Sequence, residues 1–153
     1  MLGSSSFLIP FTLASGVLLY MVYRRLLEPL MLLGGSLGGW LLNHGIKAAV
    51  HRERPSIDPL LDAIGTSFPS GHAMSSMVCY GLLAAWLIKR TSSGIRRKWI
   101  GIAAMLLILL VGISRYILNV HYLTDVLAGY FFGYLFILVW LRIWTLLQQR
   151  MPD

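Results

Sequence analysis

The sequence is short of charge. Aspartate and glutamate number only 6, lysine and arginine 13, and together they make up 12% of 153 residues, while 57% are hydrophobic. With a mean hydropathy of +0.71, too little polar sequence remains to coat the outside of a soluble helical bundle of this size. Cysteine is nearly absent as well. Cys79 stands alone within an apolar run, which excludes an intrachain disulfide, leaves the redox compartment open, and suits a small apolar filler. There is no internal repeat, no low-complexity tract and no sign of a second domain. The opening MLGSSSFLIP lacks a basic n-region and a clear cleavage site, so it does not read as a removable leader.

What remains is grease, and it comes in blocks. Five apolar stretches stand out: Phe7–Tyr23, Leu30–Ile46, Ala73–Ile88, Trp99–Ile113 and Tyr122–Leu147. A bilayer core takes roughly 20 residues of helix at ~1.5 Å each, and a shorter apolar stretch reaches that length once its flanks are helical. The expected fold is all-α, a polytopic membrane helical bundle of about five transmembrane helices forming one membrane-embedded domain over residues 1–153. The second stretch places Gly34 and Gly38, and Gly35 and Gly39, four residues apart. That spacing lets helix backbones approach closely where lipid supplies no hydrophobic drive, and packing within the chain is favoured over dimerisation, with the oligomeric state left open.

A net charge of +7 could suggest nucleic acid, but its distribution points to a membrane. Alternating five spans puts Arg24, Arg25, Lys89, Arg90, Arg96, Arg97, Lys98, Arg142 and Arg150 on one side, which the positive-inside rule makes cytoplasmic. The N-terminus is then outside and the C-terminus inside. Lys47, Arg52, Arg54 and Arg115 fall on the outer side, against the rule. Arg52, like Arg24, reads as an anchor snorkelling at a span end.

Three polar groups gather at those outer ends. KAAVHRERP (Lys47 to Pro55) leaves the second span, PSGH (Pro69 to His72) opens the third, and SRYILNVHYLTD (Ser114 to Asp125) bridges the fourth and fifth. The loop 55–69, with Asp58 and Asp62, joins the first two groups without crossing the membrane, and two spans separate the second from the third. All three therefore face one side.

Their chemistry is that of an anion cradle. Three cations, Lys47, Arg54 and Arg115, suit a multiply charged anion, and arginine forks match phosphate oxygens in pairs. Ser70 and Gly71 read as a helix start, where unpaired N–H groups and the positive dipole end face an anion. His121 and Asp125 lie one helical turn apart if the fifth helix begins near Val120, so the carboxylate can fix the imidazole tautomer and free the other nitrogen to attack phosphorus. His72 can protonate the departing oxygen and then activate water. This chemistry requires no metal or other cofactor.

The three groups resemble the signatures of the type 2 phosphatidic acid phosphatases: KxxxxxxRP (Lys47, Arg54, Pro55), PSGH (Pro69 to His72) and SRxxxxxHxxxD (Ser114, Arg115, His121, Asp125). The superfamily includes bacterial phosphatidylglycerophosphate and undecaprenyl pyrophosphate phosphatases and, in soluble form, vanadium haloperoxidases. The resemblance implies a lipid phosphate substrate, a bacterial cell membrane and a site on its extracytoplasmic face. It makes His121 the nucleophile of a phosphohistidine, Asp125 its orienting partner and His72 the acid and base. Lys47, Arg54, Ser70, Gly71 and Arg115 would hold the phosphate. Bacterial members of the lipid branch commonly resemble six-span proteins, and this chain starts near what would be the second span. Phosphomonoester hydrolysis is the expected reaction. A pyrophosphatase on an undecaprenyl carrier is the near alternative, and a non-catalytic binder of anionic lipid the distant one.

Overall fold

The computed structural model describes residues 2–55 and 65–150; Asp58 and Asp62 lie outside the described residues. Among the described residues five helices follow in chain order: α1 (Ser5–Tyr23), α2 (Leu27–Val50), α3 (Gly71–Arg90), α4 (Gly94–Ile117) and α5 (Leu123–Arg150). Among the described residues, α1, α3, α4 and α5 are long and apolar enough to cross a membrane. The 24 residues of α2 give it comparable length, but its glycines, Asn43, His44 and Lys47 dilute its apolar character. The expected five helices are thus present, and the boundaries fall close to the apolar stretches.

Local sequence explains where the helices start and stop. Ser70 and Ser93 stand at the N-caps of α3 and α4, their hydroxyls accepting from Ala73 N–H and Arg96 N–H, which satisfies donors that the first turn leaves unpaired. At the other ends, Arg24 and His51 turn into the left-handed region with φ of 54° and 50°, and their N–H groups close onto Tyr20 O and Lys47 O. Both are C-cap turns made without glycine.

The middle of the bundle is α3. Half of its spanning window is buried (50%), against 22% for α1, α4 and α5, and it packs against all four other helices. Met74, Val78 and Leu82 are almost wholly enclosed. The outer faces of the flanking helices are apolar and exposed, as Ile9, Val17, Leu106, Leu110, Phe131 and Val139 show. That pattern fits hydrocarbon outside.

Close packing rests on small residues. Methyl groups at Gly35 and Gly39 would meet Leu82 at 2.5 Å and Val78 at 2.9 Å, and ones at Gly34 and Gly38 would meet Trp140 and Phe136. The glycine pairs of α2 therefore face α3 and α5 of the same chain, as expected. A second pair, Gly129 and Gly133 of α5, lies against the start of α3: a methyl group at Gly129 would sit 2.8 Å from Ser70 O and 3.1 Å from Met74 N. Polar contacts add to the packing. Trp140 Nε1 donates to Met31 O at 2.9 Å, Tyr130 Oη donates to Leu109 O at 3.0 Å, and the Cys79 thiol lies 3.2 Å from Thr12 Oγ1. Such interhelical bonds average ~0.6 kcal/mol in a bilayer.

The far end of the bundle is closed by charge. Glu28, only 2% exposed, receives Arg90 Nη2 at 2.6 Å, and the guanidinium lies over Tyr23 and Trp86. This leaves the opposite end, where α2 and α4 finish and α3 and α5 begin, for the polar cluster.

Gly129→Ala is expected to lower the melting temperature in detergent, because the new methyl group must displace backbone atoms of α3, an overpacking of about 1–3 kcal/mol. Gly45 on the same measurement serves as reference: it has open space around it, so Gly45→Ala leaves the melting temperature unchanged or slightly raised. Equal melting curves for both variants would remove the close α3–α5 contact.

Candidate functional site

The three sequence groups converge at one end of the bundle. Ser70, fully buried, caps α3, and its N–H donates at 2.9 Å to the main-chain carbonyl of Asp125 in the first turn of α5. One backbone bond thus joins the PSGH turn to the residue four positions after His121. Gly71 opens α3 with its Cα facing Asn43 of α2, whose Oδ1 a methyl group would meet at 3.3 Å. The small residue lets the turn seat on α2.

His121 lies in the turn before α5, not inside the helix, because α5 begins at Leu123 and not near Val120. The expected proximity to Asp125 is nevertheless present, and a cap produces it. Asp125 Oδ2 accepts the Tyr122 N–H at 2.9 Å, so the third helical residue reaches back to the residue before the helix, as in a capping box. The same oxygen lies 3.6 Å from His121 Nδ1, a distance at which the two groups face each other without a hydrogen bond. The preceding Asn119 turns the chain with φ of 56°.

The other ring nitrogen faces a cation. Arg54 Nη1 approaches His121 Nε2 at 3.2 Å. A guanidinium can only donate, so Nε2 holds the lone pair, and the neutral ring carries its proton on Nδ1, towards Asp125. Burial, then the positive charges of Arg54, Lys47 and His72, push the His121 imidazole from 6.5 down to about 3. The ring is therefore uncharged across the ordinary pH range.

Two of the three cations rest on main-chain oxygen. Arg54 also donates to Val120 O and Gly65 O, both at 3.0 Å, and Lys47 Nζ donates to Thr66 O at 2.5 Å. Arg115, in the last turn of α4, is buried and lies beside Ser114 Oγ at 3.5 Å. His72, half-buried at the start of α3, senses the charges of Arg115, Arg54 and Lys47. All eight residues singled out from the sequence, Lys47, Arg54, Ser70, Gly71, His72, Arg115, His121 and Asp125, thus belong to one cluster.

Arg52 is a correction. Expected as a snorkelling anchor, it instead donates from Nη1 to Asp125 Oδ1 and to Thr124 Oγ1, each at 2.8 Å, with its guanidinium 4.1 Å from the centre of the Tyr122 ring. Ser67 was also missed. Buried at the end of the loop, it donates its N–H to Arg52 O at 2.8 Å and its hydroxyl to Glu53 O at 2.8 Å, pinning the segment that carries both arginines. Nothing in the spacing of either residue signalled this. Gly129 did carry a signal, since GYFFG has the same four-residue glycine spacing as α2.

An apolar cavity of about 560 Å³ lies between α1, α2 and α3, lined by Leu8, Thr12, Leu33, Leu37, Trp40 and Cys79 among others. None of the eight cluster residues lines it.

The chain is similar to known proteins. Phosphatidylglycerophosphatase B of Bacillus subtilis is 39% identical over 135 residues, which cover 88% of this chain and 66% of that protein. Decaprenylphosphoryl-5-phosphoribose phosphatase of Mycolicibacterium smegmatis is 39% identical over 88 residues, 55% of this chain and 42% of that one. This chain therefore spans about two thirds of the first relative and under half of the second. The crystal structure of a transmembrane PAP2-type phosphatidylglycerolphosphate phosphatase from Bacillus subtilis aligns with a TM-score of 0.84 and 32% identity, over 99% of this chain and 74% of that one. The PAP2 superfamily model matches residues 28–149, a stretch that contains all three motifs and every residue of the cluster. The chain is an integral membrane protein and belongs to the PAP2 superfamily.

Proposed function

We propose that the chain is a metal-independent lipid phosphate phosphatase, hydrolysing a phosphomonoester such as phosphatidylglycerophosphate or phosphatidate through a phosphohistidine. The observation that carries this reading is the pair of contacts on His121: Arg54 at Nε2 and Asp125 facing Nδ1. Together they leave the lone pair on the side of the cations and the proton on the side of the carboxylate.

When a phosphate enters, Arg54 exchanges its contact with Nε2 for a phosphate oxygen, and Lys47, Arg115 and the N–H groups at the start of α3 take others. Nε2 then attacks phosphorus, and the N–P bond forms as the ester P–O bond breaks. Asp125 accepts the Nδ1 proton in a hydrogen bond and stabilises the positive ring. The departing alkoxide takes a proton from His72, whose protonated state the dianionic substrate favours by offsetting the nearby cations. In the second half His72 removes a proton from water, water oxygen attacks phosphorus, and the N–P bond breaks to release inorganic phosphate and neutral His121. The cations stabilise the five-coordinate phosphorus in both halves.

A lipid substrate is supported by the position of the cluster at one end of apolar helices and by the apolar cavity between α1, α2 and α3, which suits hydrocarbon. The extracytoplasmic face follows from the positive-inside argument: the cluster lies at the end opposite Lys89, Arg90 and Arg96 to Lys98. Both relatives named as phosphatases act, by their names, on phosphorylated lipid-like molecules, which supports the same class for this chain.

Purified protein is expected to release phosphate from phosphatidylglycerophosphate or phosphatidate in excess EDTA, and vanadate is expected to inhibit by mimicking five-coordinate phosphorus. Undecaprenyl pyrophosphate in the same panel distinguishes monoester from anhydride cleavage. Activity that requires an added divalent cation would overturn the metal-free reaction. His121→Ala should abolish turnover, and Asp125→Asn should lower kcat by ~10²- to 10⁴-fold with the fold retained; a fully active His121→Ala protein would end the phosphohistidine reading.

The state of His121 also has a consequence for stability. Its folded value is depressed, so between pH 6.5 and about 3 the unfolded chain binds a proton that the folded site refuses. Stability from this residue is present above pH 6.5 and is lost as pH falls towards 3. Melting temperatures of wild-type and His121→Gln protein, compared at pH 7 and 4.5, are expected to show the smaller acid-side drop in the variant. Parallel pH slopes would mean that the folded imidazole titrates normally.

A further inference from the structure

We infer that Arg52 is a positioning residue for the reaction, acting on His121 through Asp125. The inference rests on the reading of His121 as nucleophile and goes beyond it, because Arg52 fills one of the unspecified positions of KxxxxxxRP and no motif assigns it a role.

Asp125 is wholly enclosed, and its two oxygens have different partners. Oδ2 takes the Tyr122 N–H and faces His121 Nδ1, whereas Oδ1 takes Arg52 Nη1 at 2.8 Å. A buried carboxylate oxygen without a partner is costly, and the group would rotate to find one. The contact with Arg52 fixes Oδ1 and so keeps Oδ2 turned to the imidazole. Arg52 is itself fixed at several points. Its carbonyl accepts the Ser67 N–H, its guanidinium lies over the Tyr122 ring, and Nη1 also reaches Thr124 Oγ1. Residues on both sides of the Arg52–Asp125 contact are thereby held in register.

The two arginines of HRERP divide the imidazole between them. Arg54 meets Nε2, the edge that would face phosphate, and Arg52 reaches the Nδ1 edge through the carboxylate. Arg54 therefore belongs to substrate binding and Arg52 to the orientation of the nucleophile. The expected signature is a loss in kcat and not in KM.

The test uses the full chain in detergent with phosphatidylglycerophosphate, comparing wild type, Arg52→Ala, Arg52→Lys, Asp125→Asn and the Arg52→Ala/Asp125→Asn double variant, with His121→Ala as blank. Arg52→Ala is expected to lower kcat by ~10- to 100-fold, the usual range for a partner that orients a reacting group's ligand, with KM within about twofold of wild type. Arg52→Lys, which keeps the charge, should recover a substantial part of the loss. In the Asp125→Asn background the Arg52→Ala change should have little further effect, because its route to His121 is already cut. Should Arg52→Ala fail to fold, Arg52→Gln, which keeps a donor without the charge, carries the same comparisons.

A raised KM at unchanged kcat would make Arg52 a substrate ligand, and losses that multiply in the double variant would make it independent of Asp125; either overturns the inference. Unchanged kcat in Arg52→Ala beside an inactive blank would overturn it while sparing the proposed function. An active blank would instead remove the phosphohistidine reading on which it rests.

Discussion

A carboxylate with no exposed surface needs compensation from every side, and Asp125 receives it from chain segments far apart in sequence. Its side chain takes Arg52 from the segment after α2 and the Tyr122 N–H from its own helix start, while its carbonyl takes the Ser70 N–H from the start of α3. Removing Arg52 would leave the buried carboxylate short of a hydrogen-bond partner, and removing the Ser70 N–H would leave a buried carbonyl unpaired, either of which costs more than losing a surface contact. The arrangement of the whole cluster follows from that requirement. Satisfying Asp125 brings the PSGH turn, the arginine segment and the His121 turn to one point.

The helices make that convergence possible by coming close without a hydrophobic drive between them. Ser70 can reach Asp125 O because Gly129, one helical turn further along α5, presents only hydrogen to the Ser70 carbonyl and the Met74 amide. Gly133 repeats the contact one turn deeper, against Met77 and Met74 O. On the other face of α3, Gly35 and Gly39 of α2 admit Leu82 and Val78. In a bilayer, dispersion between closely fitted surfaces replaces the hydrophobic effect as the force holding helices together. The small residues therefore set the register of α2 and α5 on α3, and with it the spacing of the cations from the imidazoles.

Much of this was legible in the sequence, and for definite reasons. The helix number follows from long apolar blocks, and the common face of the three polar groups follows from counting crossings. The Ser70 cap and the glycine packing of α2 follow from local rules that need no tertiary information. The parts that escaped depend on contacts across the chain. Arg52 looks like any arginine at a span end, and only the fold brings it to a residue 73 positions away. The apolar stretch from Tyr122 lies within one residue of the start of α5, but pairing His121 with Asp125 within a helix required a start near Val120, whereas the Tyr122–Asp125 cap supplies the pairing from outside the helix. GYFFG went unnoticed inside the longest apolar run although its spacing matches the pairs in α2.

Three cations held close together repel one another, so their alignment has to be maintained by something other than attraction among themselves. The main chain provides it. Lys47 rests on Thr66 O, and Arg54 on Val120 O and Gly65 O, so these two are held by neutral oxygens that loop geometry has already placed, while Arg115 is fixed by its burial in the last turn of α4. Phosphate oxygens carry negative charge, so a cation is drawn to them more strongly than to a neutral carbonyl. On the proposed reading, an arriving dianion needs only to draw Lys47 and Arg54 from a weaker partner to a stronger one nearby, while relieving the repulsion among the cations. Donors already gathered in this way stabilise charge developing on phosphorus with little reorganisation at the moment of reaction. In the proposed reaction Arg54 links this cradle directly to His121, since releasing Nε2 to bind phosphate is the same movement that exposes the lone pair for attack.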